Sequence, residues 1–153
     1  MKPNFKILSL MAVCLLSMIS FSACKDDNWE PLKWKVDNRN PENIVVKTHP
    51  EHQSSESEKF IIANEEGGEI IFSCENYDEL YIAVNEYGNN GDSVNNEDLS
   101  VNLEGEKLII NFPKLDELPE ETSWTILIIK TRTNKKSGTV FWIGRNSDLN
   151  YLD

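Results

Sequence analysis

From Asn43 onward the chain is written in short apolar runs separated by turn residues, and several of them alternate with the period of a half-buried strand. Ile70, Phe72 and Cys74 fall on one face, as do Leu80, Ile82 and Val84, with Tyr81, Ala83 and Asn85 opposite. Leu99, Val101 and Leu103 alternate with Ser100 and Asn102. The turn Glu104-Gly105-Glu106 then returns the chain through Leu108, Ile110 and Phe112 as a hairpin. The predicted strands are 43–49, 59–63, 69–74, 80–87, 99–103, 107–112, 123–133 and 139–144. The last two are apolar on both faces, the mark of central strands.

The punctuation between these runs fits. Gly67-Gly68 precedes one strand, and 88–98 (GNNGDSVNNED) reads as a long loop. The stretch 113–122, with Pro113 and Pro119, suits a connection that crosses between sheets, because proline cannot donate to a central ladder. Residues 145–153 read as a polar tail that frays. Without helical periodicity in this region, the expected fold is all-β: an antiparallel, immunoglobulin-like β-sandwich of seven or eight strands. A β-barrel is the competing architecture, and strand pairing distinguishes the two.

The first 27 residues have a different character. Lys2 and Lys6 form a basic region, 7–21 an apolar one, and Phe21-Ser22-Ala23-Cys24 ends it with small residues before a cysteine. A stretch of fifteen residues falls short of the roughly 20 that a membrane-spanning helix needs. The expected organisation is a signal peptide at 1–23, a tether at 24–40, a sandwich domain at 41–146 and a tail at 147–153. The segment resembles bacterial lipoprotein signals, which implies a diacylglycerol thioether on Cys24 and stable anchoring by several acyl chains. Lys25, Asp26 and Asp27 are similar to the surface-export signal of Bacteroidetes lipoproteins. That likeness implies an outer-membrane lipoprotein displayed at the cell surface, with periplasmic retention as the alternative.

Removing 1–23 takes away Lys2 and Lys6 and no acid, so the formal charge moves from −11 to −13. Such a balance disfavours nucleic acid and anionic membrane surfaces, both of which attract Lys/Arg patches. It also leaves Cys74 as the lone thiol once Cys24 is acylated, so the mature chain has no internal disulfide and Cys74 is expected to be a buried, inert side chain.

Candidate chemistry is sparse. His49 and His52 are the only imidazoles and sit in one polar loop, short of the ligand set of a zinc site. The Asn89–Asp92 and Asn95–Asp98 clusters offer oxygen atoms but do not follow the EF-hand pattern. The expectation is therefore no enzyme, no catalytic residue, no metal and no cofactor. Trp29 and Trp34 are the candidate ligand-contacting residues. Five positions apart, they either dock on the domain, which their apolar area favours, or stay exposed as platforms for sugars.

The order of GGEIIFSC, ENYDELYIAV, VNLEGEKLIINF, WTILIIK and GTVFWIG across 67–146 resembles the immunoglobulin-like modules of Bacteroidetes lipoproteins, including the BACON type. The resemblance implies a surface module linked to glycan handling and transfers no binding residue. The expected function is a non-enzymatic, membrane-anchored protein whose sandwich presents loops or a sheet face to a carbohydrate or a protein. The alternative is an accessory protein docked on an envelope partner.

Overall fold

The computed structural model describes residues 30–48, 58–75, 79–85, 93–132 and 137–153. The signal, Cys24, the Lys25-Asp26-Asp27 run, Trp29, both histidines and the Asn89–Asp92 cluster lie outside the described residues.

Eleven strands are present among the described residues: β1 (Glu30–Pro31), β2 (Trp34–Asn38), β3 (Ile44–Lys47), β4 (Glu58–Ala63), β5 (Gly68–Cys74), β6 (Leu80–Asn85), β7 (Ser93–Asn95), β8 (Ser100–Glu104), β9 (Lys107–Phe112), β10 (Thr125–Thr131) and β11 (Ser137–Arg145). One sheet runs β3-β4-β11-β10-β6, with β1 also on β11, and the other runs β2-β5-β9-β8-β7. Two open sheets rule out the barrel. Numbered by themselves, β2, β5, β6, β8, β9, β10 and β11 give the immunoglobulin-like order: first, second, fifth and fourth on one sheet, third, sixth and seventh on the other.

The expected count of seven or eight was low because three strands, β1, β2 and β7, lie in polar sequence that does not read as strand. Of these, β7 lies within the stretch read as a loop, where Ser93↔Asn102, Val94↔Val101 and Asn95↔Ser100 pair and Val94 is buried. The strands also begin ahead of residue 41. Trp34–Asn38 forms five register pairs with β5, so this part of the stretch assigned to the tether is an edge of the sandwich. Nor is the pairing wholly antiparallel. Both β1 and β4 run parallel to β11 on the same side of it, β1 at Ser137 and Gly138 and β4 from Val140 to Arg145.

Alternation fills the core as expected. Ile70, Phe72 and Cys74 of β5, Leu108, Ile110 and Phe112 of β9, Leu127 and Ile129 of β10 and Phe141 and Ile143 of β11 are buried between the sheets. Both β10 and β11 are interior strands, as their two apolar faces predict.

Strand directions define two poles. Strands β1, β2, β4 and β11 start at one, the entry pole, where β8 and β9 are joined through Gly105. Loops 39–43, 64–67, 96–99 and 113–124 gather at the other, the far pole, where β11 ends. Nine residues of β11 make the distance between poles about 27 Å at strand rise.

Glycine conformation is critical at one turn and not at the other. Gly67 has φ 62°, and a Cβ there would lie 2.2 Å from the Phe112 carbonyl oxygen. Gly105 has φ 59° with nothing within 4 Å. Gly105→Ala is expected to cost about 1 kcal/mol, the left-handed penalty alone. Gly67→Ala should cost roughly 2–4 kcal/mol, because backbone must move as well. Urea unfolding of the two variants checks the difference.

Candidate functional site

The far pole is where four loops of separate origin gather, and Arg145 ties three of them together, 64–67, 96–99 and 113–124. It ends β11, on the same face as Phe141 and Ile143, and only 6% of it is exposed. Its Nη1 donates to the Asn64 carbonyl at 2.8 Å, while Nε and Nη2 donate to the Asp98 carbonyl at 3.2 and 2.8 Å. Nη2 also donates to the Pro113 carbonyl. The guanidinium lies over the Phe112 ring, 5.3 Å from its centroid.

Burial pulls the Arg145 pKa below its usual range, and the nearby Asp98 charge pulls in the opposite direction. The carbonyl dipoles compensate the buried charge. With its donors committed to backbone, Arg145 acts as a tie between loops and not as an anion receptor.

A shallow depression lies beside this tie, lined by Asp98, Leu99, Pro119, Ser123 and Thr125 and floored by Ile143 and Gly144. Its lining contains no imidazole or thiol; the groups there with proton or nucleophile chemistry are the Asp98 carboxylate and the Ser123 and Thr125 hydroxyls. Among the described residues, no group of three or more His, Cys, Asp or Glu side chains is placed to hold a metal ion. The Asn95–Asp98 cluster spends its amide oxygens locally. Asn96 Oδ1 accepts from the Asp98 and Leu99 N–H groups at 2.8 Å each, and Asn95 Oδ1 accepts from Ser100 Oγ at 2.6 Å. This is an Asx turn that closes β7 onto β8.

Trp34, one of the two candidate ligand-contacting residues, faces the interior. Its ring packs edge-on against Phe141 at 5.3 Å and Phe72 at 6.3 Å, and its Nε1 donates to the buried Thr139 Oγ1 at 3.0 Å. Docking, and not exposure, describes this indole. Trp124 and Trp142 are half-buried on the outer face of the β11 sheet. There Phe60 stacks on Trp142 at 5.7 Å and meets Trp124 edge-on at 5.7 Å. Trp124 also covers Gly144, where an added Cβ would come within 2.9 Å of the ring. Cys74 is buried, 3% exposed, as its place in the alternation predicts.

The residue that sequence reasoning missed is Arg145, assigned to a fraying tail. Its signal was a charged residue continuing an apolar strand, TVFWIGR, without an intervening turn. The residues after it are also engaged. Asn146 donates to Thr122 Oγ1 at 2.9 Å, and Lys47 pairs with Asp153 at 2.6 Å.

No protein-family model and no curated protein matches the sequence. Among solved structures, the chain is similar to one described as the NMR structure of a protein from Bacteroides thetaiotaomicron. The TM-score is 0.53 at 14% identity, over 79% of this chain and 92% of that one. At that identity the likeness concerns the fold, and it places the same sandwich in a Bacteroidetes bacterium.

Proposed function

We propose that this chain is a non-enzymatic lipoprotein of the Bacteroidetes outer membrane, with a BACON-like sandwich that presents its far-pole loops for recognition of glycans at the cell surface. The observation that carries the reading is the short distance along the chain between anchor and fold. Five residues separate Cys24 from Glu30, where β1 enters against β11. Acylation at Cys24, with the Lys25-Asp26-Asp27 run directing export, would thus fix one pole of the module to the membrane and leave the other pole's loops outermost. Loops on a rigid scaffold are where recognition commonly resides.

Incorporation of labelled palmitate into the wild-type chain, and its loss in Cys24→Ala, is the expected result in cells. Equal labelling of both would remove the anchor. Binding of the purified domain on a glycan array tests the ligand class.

A second reading, an accessory lipoprotein docked on another envelope protein, draws support from β6. Its six residues, LYIAVN, carry neither charge nor proline, and among the described residues no strand pairs with its outer edge. An uncharged edge suits strand addition by a partner. A stoichiometric crosslinked protein with no glycan affinity would favour this reading over the first.

A further inference from the structure

We infer that the sandwich stands on end on an anionic lipid surface, entry pole down and far pole outward; this rests on acylation of Cys24. Two observations, chain length and charge placement, carry the orientation independently of any ligand.

Length excludes the inverted pose. From Cys24 to Glu30 there are six Cα steps, which reach at most about 22 Å when fully extended. Because β1 is parallel to β11 and aligned with its first residues, Glu30 lies at the entry pole. The far pole is about 27 Å away along β11, so the tether cannot bring that pole to the bilayer that holds the lipid.

Charge opposes lying flat, a pose that length alone would permit. Loops 39–43, 64–67, 96–99 and 113–124 carry one, two, two and four acids respectively, against Arg39 and Lys114 on their surface. Both cations are already engaged: Arg39 pairs with Glu69 at 2.6 Å and Lys114 with Glu66 at 2.8 Å. Glu66, with Asp116 and Glu65 adding to it, raises the Lys114 pKa, as expected for a cation set among acids. At the entry pole the described residues are balanced. Glu104 is the register partner of Lys107, and Arg132 follows β10 opposite Glu79. Tilting the module would carry the acid-rich end into the field of anionic headgroups, which acts within a Debye length of about 8–10 Å. Upright, that end is held well beyond it.

The test uses the acylated mature chain in vesicles of phosphatidylethanolamine and phosphatidylglycerol. A fluorophore is placed at Glu106→Cys on the entry pole or at Glu117→Cys on the far pole. With Cys24 blocked by lipid and Cys74 buried, only the introduced thiol is labelled. Energy transfer to a headgroup acceptor should be at least about threefold stronger from position 106 than from 117, given the separation of the poles. In phosphatidylcholine vesicles the two should converge as the repulsion disappears. Equal transfer in the anionic vesicles overturns the orientation alone, and a contrast indifferent to lipid charge overturns its electrostatic cause. A chain that does not float with vesicles overturns the lipid anchor and the orientation with it.

Discussion

Arg145→Met is expected to lower the unfolding free energy by about 3–5 kcal/mol, because three carbonyls left without their donor each cost about 1–3 kcal/mol and the loops relax in part. Three backbone carbonyls, at Asn64, Asp98 and Pro113, would lose their shared donor inside the far pole. Each belongs to a different loop, so the loss falls on the arrangement of loops as well as on stability. Arg145→Lys keeps the charge but offers one compact ammonium where a planar fork serves three acceptors, and should recover only part of the loss, leaving about 2 kcal/mol. Urea unfolding midpoints of the two variants check this. A loss below about 1 kcal/mol in the methionine variant would mean that the carbonyls find other donors.

Trp34→Ala is the second large effect, at about 3 kcal/mol, the low end for removal of an aromatic ring because Trp34 is half-buried against the core. The indole contacts Phe72 and Phe141 and is therefore the joint between the edge strand β2 and both sheets. Trp34→Phe retains most of the packing and loses the bond to Thr139, worth about 1 kcal/mol. Against a total of roughly 5–15 kcal/mol for an ordinary domain, the alanine variant should melt markedly earlier. Thermal unfolding by near-ultraviolet circular dichroism reads the effect on the indole's surroundings directly. If Trp34→Ala were as stable as wild type while glycan binding fell, the exposed-platform role would be restored.

Much of the fold was legible because burial alternates with strand period. The inward sets on β5, β8 and β9 could be read residue by residue, and the crossing at 113–122 from its prolines. Pattern failed where one face of a strand is exposed or the strand is very short. In β2, Trp34-Lys35-Val36-Asp37 does alternate, but its edge position leaves Val36 42% exposed, and the charges made the stretch look like tether. In β7, Val94 is the single apolar residue, set among asparagines and acids. The parallel pairings on β11 were out of reach, since alternation carries no information on strand direction. Arg145 escaped for a related reason: its acceptors lie 32, 47 and 81 positions away in the chain. Nothing local distinguishes a charge bound for carbonyls from one bound for water. At the candidate site, sequence marked residues near the anchor, whereas the far pole is built from backbone oxygens that no motif records.

The parallel ladders have a consequence for biogenesis. A polypeptide emerges amino end first, yet β1 and β4 both wait for β11, which is synthesised last. The sheet that contains them cannot close on a nascent chain, and such distant pairings form slowly. Delayed closure of this kind leaves one edge of β4 without its neighbour until β11 has been made.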